Sequence, residues 1–181
     1  MPSKIEIINQ ALILLGEDLV ADLSAGAGEV ADTLYKTVNH NLLSSYRWRF
    51  ATKKVALSEY AGSPVNEWDR HFSLPTDFIL LNRVYPEARF EIFEDKILTD
   101  STTISIEYVF DPGEKTYPVY YTRALSHVLA ADMAMSIAND KKLAEMMDSK
   151  ATRSLGFAKN RDSQGRRTPF IQHRPYVAVR G

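Results

Sequence analysis

The chain contains no cysteine, which removes disulfide frameworks, zinc knuckles and thiol chemistry together. Long apolar runs are also missing. The longest, Ala11 to Leu15, falls far short of the roughly 20 residues that a membrane-spanning helix needs. The opening Met1-Pro2-Ser3-Lys4-Ile5-Glu6 has no basic stretch ahead of an apolar one, so synthesis and retention in a cytoplasm-like compartment is the expectation. Net charge is scarce too: the formal value of −1 argues against a dedicated polyanion binder. Catalytic signatures are equally thin. There is no Gly-x-Ser-x-Gly elbow for a serine nucleophile, and Gly26-Ala27-Gly28-Glu29 has neither the preceding strand nor the lysine of a phosphate-cradling loop. The four histidines, His40, His71, His127 and His173, stand singly with no partner at metal-ligand spacing, so neither a metal nor another cofactor is expected.

What is present suits a folded chain of 181 residues with 45% hydrophobic and 10% aromatic content, enough for one sizeable core carrying at most a small insertion. The small net charge hides an uneven distribution. Residues 1–149 hold 14 basic and 22 acidic side chains, net −8, whereas residues 150–181 hold eight basic and one acidic, net +7. An acidic body carries a basic end.

Ser3-Lys4-Ile5-Glu6 has the form of a capping box, and Ile5, Ile8, Leu12 and Leu15 then share a helix face until Gly16 stops it. Val30, Leu34, Val38 and Leu42 predict a second helix from about Glu29 to Ser45. The period then changes to two. Short β-branched or aromatic stretches at Lys53 to Tyr60, Trp68 to Leu74, Phe78 to Tyr85, Phe90 to Phe93, Ile97 to Thr99 and Ile104 to Phe110 predict one small antiparallel sheet. Pro118 suits the first turn of a third helix with Leu125, Val128, Leu129, Met135 and Ala138 inward. A cap at Asn139 or Asp140 starts a fourth, from about Lys141 to Lys159, antiparallel to the third. Beyond Asp162 there is no period, and Pro169 and Pro175 break any helix. The expected class is α+β. A four-helix body (1–52 and 115–161) carries an inserted antiparallel β domain (53–114) and an extended C-terminal arm (162–181).

Paired carboxylates are the remaining route to hydrolysis, and Glu107 and Asp132 lie near apolar neighbours. For Asp132 a cap, an ion pair with a cation of the fourth helix or a subunit contact is the simpler reading. The basic end admits three. Lys150, Arg153, Lys159, Arg161, Arg166, Arg167, Arg174 and Arg180, interleaved with Phe157, Phe170 and Tyr176, suit phosphates and bases, or a solvated tail, or an extended peptide seated in a protein groove.

Several short pieces then fall in a telling order: Ala11-x-x-x-Leu15-Gly16 with Val20-x-x-Leu23, Ala31-Asp32 with Tyr35, and Trp48-x-Phe50-Ala51-Thr52-Lys53. Phe72-x-Leu74-Pro75-x-Asp77-Phe78 with Arg83-Val84, Ala124-Leu125 with Leu129-Ala130-x-x-Met133-Ala134, and the Arg-rich Pro169-Phe170 end follow. In this order the chain resembles the head-to-tail adaptor family of short-tailed bacteriophages, known as tail tubular protein A, gatekeeper or tail accessory factor. The resemblance implies a structural, non-catalytic virion protein made in the host cytoplasm and located at the neck or tail. It implies twelve copies in a ring beneath the portal, a tail nozzle, fibre or spike protein below, DNA passing through the lumen without sequence-specific binding, and no membrane contact. By position, Arg166, Arg167, Pro169, Phe170, Arg174 and Tyr176 would contact the portal. The alternative from another class is a small nucleic-acid-binding protein acting through the same tail.

Ser45-Tyr46-Arg47-Trp48-Arg49-Phe50, between the helical and alternating patterns, is the last feature. Tyr46 continues the stripe of the second helix, and Trp48 and Phe50 alternate with two arginines. An extended chain would turn the rings inward and the arginines outward, making Tyr46, Trp48 and Phe50 a core hinge.

Overall fold

The computed structural model describes residues 2–64 and 67–165. The fold is α+β, with four helices and small antiparallel sheets. The order is α1 (Lys4–Leu15), α2 (Gly26–Ser44), β1 (Thr52–Ala56), β2 (Arg70–Ser73), β3 (Leu80–Tyr85), β4 (Phe90–Phe93), β5 (Lys96–Thr99), β6 (Ser105–Val109), α3 (Val119–Met133) and α4 (Lys141–Ser163).

Local signals set the helix ends. The Glu6 amide donates to Ser3 Oγ at 3.3 Å while the Ser3 amide donates to Glu6 Oε2 at 2.7 Å, closing the capping box of α1. Gly16 ends α1 at φ 80°, with its amide on the Ile13 carbonyl at 3.1 Å. Asp140 starts α4, its Oδ1 accepting from the amides of Lys142 and Leu143 at 2.8 and 3.1 Å.

The inward face of α2 differs from the expected stripe. Ala31, Tyr35, Val38, Asn39, Leu42 and Leu43 are buried, whereas Val30 is exposed. A strict four-residue spacing advances about 40° per step relative to a 3.6-residue turn, so a stripe begun at Val30 spirals off the core. The helix also begins three residues early, at Gly26. Gly28 is buried, and a Cβ there would lie 2.8 Å from the Asp22 carbonyl, so only glycine lets the 20–23 link pass this close.

Two three-stranded sheets replace the single one expected, ordered β1-β6-β3 and β2-β5-β4, all antiparallel. Residues 57–60 join them: the Leu57 amide reaches the Ile104 carbonyl at 2.9 Å, and the Tyr60 amide reaches that of His71 at 2.9 Å. Phe72, Val84, Ile97, Ile104, Ile106 and Tyr108 form a small core of their own, apart from the larger helical core. Period-two patterning sets which face of a strand is apolar but not which strand is its neighbour.

Helix α3 is the centre of the body, packed against α1, α2 and α4. Pro118 is its N-cap rather than a first-turn residue, its carbonyl accepting from the Tyr121 and Thr122 amides. Beyond Met133 the chain winds into a π-turn, Ala134–Ala138, before Asn139 in the left-handed region. Five-residue hydrogen bonding shifts the phase, and Met135, expected inward, is 52% exposed. Helix α4 runs to Ser163, so Asp162 and Ser163, expected to begin the arm, are helical.

Candidate functional site at the helix–sheet junction

A hollow of about 860 Å³ lies where the end of α2, the end of α4 and the first sheet converge. Ser45, Tyr46, Arg47, Arg49, Lys54 and Glu107 line it, with Asp162 at its edge. Through Tyr46 it adjoins a buried aromatic cluster. Trp48 is completely buried, and its Nε1–H donates to the Leu42 carbonyl at 2.8 Å, capping the last turn of α2. Tyr46 and Tyr121 each meet the Trp48 ring edge-on at 5.1 Å, and Phe50 meets Tyr121 at 4.8 Å and Tyr117 at 5.9 Å.

Tyr46 and Phe50 are half-buried and Arg47 and Arg49 exposed, but the backbone cause is not the expected extended chain. The Trp48 amide bonds to the Tyr46 carbonyl at 3.0 Å and the Ala51 amide to the Trp48 carbonyl at 3.2 Å, so consecutive turns orient these side chains. Strand geometry begins only at Thr52.

Asp162 is 3% exposed and holds the junction from the other side. Its carboxylate accepts from the Arg49 amide at 3.0 Å and from the Tyr120 hydroxyl at 2.8 Å, while Lys159 Nζ lies over the Tyr46 ring and donates to the Ser45 carbonyl. The end of α4 is thus fastened to the loop carrying Trp48. Deeper in, Asn39 donates to Tyr117 Oη at 2.8 Å and to Asp111 at 3.1 Å, and Tyr121 donates to Asn39 Oδ1 at 2.9 Å. Burial pushes the Tyr117, Tyr120 and Tyr121 phenols far above their ordinary range, so they remain hydroxyl donors.

The carboxylates of interest in the sequence do not meet. Glu107 faces the junction and pairs with Lys54 at 3.2 Å. Asp132 lines a separate hollow of about 450 Å³ with Glu29, Val30, Thr33, Leu34 and Ser136. No cation of α4 pairs with Asp132 among the described residues. Its pKa is raised, by desolvation first and then by Asp148 of α4. Also among the described residues, no three His, Asp or Glu side chains are placed to hold a metal, and no helix is long and apolar enough to cross a membrane. Arg166, Arg167, Pro169, Phe170, Arg174 and Tyr176 lie outside the described residues.

One cluster the sequence did not single out is a basic groove of about 540 Å³ formed by Leu14, Arg123, His127, Lys150, Arg153 and Phe157, with Ser154 at its base. Its signal was present: Arg123 and His127 are four apart, and Lys150, Arg153 and Phe157 follow helical spacing. In the sequence Lys150, Arg153 and Phe157 count toward the basic end, which hides their grouping with Arg123 and His127.

Compared with known protein families, the chain matches none, and no curated protein matches it.

Proposed function

We propose that this chain is a structural connector of a bacteriophage virion, a head-to-tail adaptor whose copies form a ring of twelve between the portal and the tail components. The observation that carries the reading is the fastening of α4 to the junction by Asp162, Arg49 and Tyr120. It fixes where residue 165 leaves the body, and the sequence beyond it holds four arginines and no acid. A rooted, cationic peptide with Phe170 and Tyr176 as anchors suits a groove on another protein, with the portal as its partner. The inward-facing Trp48, Ala51, Phe72, Ala124, Leu129 and Met133 of the resemblance's motifs support the same fold-level reading. An acidic body around a channel would let DNA pass without adhering. The role needs no cofactor and no chemistry of its own.

Deleting residues 166–181 tests this reading. The truncated chain is expected to fold normally yet lose binding to portal rings in co-sedimentation and disappear from the neck in electron micrographs of assembled particles. Undiminished portal binding would refute the arm's role. Nucleic-acid binding through the same tail is the second reading, favoured by Arg47 and Arg49 at the root, whose guanidinium groups form no salt bridge among the described residues. It requires an affinity for DNA that falls steeply with salt and is lost on neutralising Arg166 and Arg167.

A further inference from the structure

The helical body has two charged faces that nothing within the described chain neutralises. On one, Arg123 of α3 with Lys150 and Arg153 of α4 border the basic groove, and no carboxylate lies within 4 Å of any of them among the described residues. The remaining residues contain no Asp or Glu side chain either. Phe157 stands in this groove 64% exposed, and His127 Nδ1 is buried there without a hydrogen-bond partner. On the other face, Asp132 and Glu29 border the 450 Å³ hollow, floored by Val30 and Leu34, with Asp148 close enough to Asp132 to raise its pKa. None of these three acids forms an ion pair among the described residues.

The faces are back to back. Arg123 and Asp132 are nine positions apart on α3, about 180° around a helix that turns about 100° per residue, and Lys150 and Asp148 are about 160° apart on α4. A surface so arranged does not complement itself across a two-fold axis, because basic would meet basic. It complements the opposite face of another copy. Such a heterologous contact repeats from copy to copy and closes into a ring when its rotation divides a full turn. Each face pairs three charges with an apolar floor, and Phe157 supplies a projecting ring where the other face supplies an aliphatic hollow.

We propose that these faces are the two halves of one subunit contact: the Arg123, Lys150 and Arg153 groove of one copy receives the Glu29, Asp132 and Asp148 edge of the next, and Phe157 enters the hollow beside Val30 and Leu34. The assignment rests on the ring-forming reading above and adds the partner surface and the polarity of the contact.

A charge swap tests it with the full chain. The K150E/R153E variant and the E29K/D148K variant change only exposed side chains, so each is expected to keep the wild-type melting temperature. In sedimentation velocity at low salt and up to about 1 mM protein, each is expected to weaken self-association at least about tenfold, while the four-residue swap recovers it to within about threefold. A T33C/S154C variant is expected to give a disulfide-linked ladder longer than dimers under mild oxidation, while either single variant stops at dimers. Unchanged association in both charge variants, or a four-residue swap no better than its parents, overturns the contact and leaves the ring reading standing if rings still form on the portal. A wild-type chain monomeric throughout, with no ladder, overturns the contact. Only the further absence of rings from assembled particles removes the adaptor reading with it.

Discussion

Replacing Trp48 by alanine removes the ring on which the junction is built. The side chain is fully buried, meets Tyr46, Phe50 and Tyr121, and donates to the Leu42 carbonyl at 2.8 Å. Loss of a buried large aromatic costs about 3–5 kcal/mol in transfer and cavity terms. The lost hydrogen bond adds little, about 0.5–1.5 kcal/mol, because the Leu42 carbonyl also accepts from the Ser45 amide and hydroxyl. A total near 5 kcal/mol corresponds to a fall of about 10–20 °C in Tm for a domain of this size. Trp48→Phe keeps most of the ring contacts and is expected to lose about half as much. Arg47→Ala, one residue away on an exposed side chain, is expected to change stability by less than about 0.5 kcal/mol. Urea melts followed by circular dichroism compare the three. A Trp48→Ala loss below about 1 kcal/mol, or an Arg47→Ala loss of equal size, would refute the assignment of the ring to the core and the guanidinium to solvent.

Asp162→Ala is expected to cost about 2–3 kcal/mol, since two hydrogen bonds to a buried carboxylate disappear, and to speed amide exchange in the last turns of α4; unchanged exchange there would show that the fastening lies elsewhere. The Asp77 carboxyl is held below its ordinary pKa by the Lys53 ammonium first, with a smaller contribution from the Tyr108 hydroxyl. A depressed folded pKa gives stability that is present above the unfolded value and lost as pH falls through the folded one. Asp77→Asn should therefore melt below wild type at neutral pH, with the two curves converging as pH falls below the ordinary carboxylate range; parallel curves there would exclude the linkage. Asp132 has the opposite sign: its raised pKa means the ionised carboxylate opposes folding at neutral pH, so Asp132→Asn is expected to melt at or above wild type there, the gain fading as pH falls through the raised folded pKa and gone below the ordinary carboxylate range, while its self-association weakens. A lower Tm for Asp132→Asn at pH 7 would reverse this reading.

The parts of the fold legible in the sequence are those whose cause lies within a few residues. Ser3 with Glu6, Gly16 and Asp140 satisfy backbone groups one turn away, and the structure has each cap. The phase of α2 was misplaced because a four-residue repeat and a 3.6-residue turn agree only over short stretches. The second sheet was hidden because β2 finds β5 some 25 residues later, across pairings that alternation does not encode. Met135 was misplaced because nothing in Ala134-Met135-Ser136-Ile137 announces a π-turn. Asp162 was counted as the start of a loose arm for the same reason: its partners, Arg49 and Tyr120, are 113 and 42 positions away.

The extent of α4 divides the basic end of the chain in two. Half of the cations assigned to a basic tail, Lys150, Arg153, Lys159 and Arg161, belong to α4. Residues 1–165 then hold 18 basic and 23 acidic side chains, net −5, and residues 166–181 hold four basic ones, net +4. The charge therefore has three parts rather than two: an acidic edge on α2, α3 and α4, a basic groove on the opposite side of the α3–α4 pair, and a shorter basic segment rooted at the junction. A tail alone explains attachment to one partner. Two opposed faces on a rigid helical pair also supply a direction, because each copy then has one surface that donates cations and one that accepts them. Chains bearing both can add in only one sense, which is what a ring of identical subunits requires and a two-fold dimer does not.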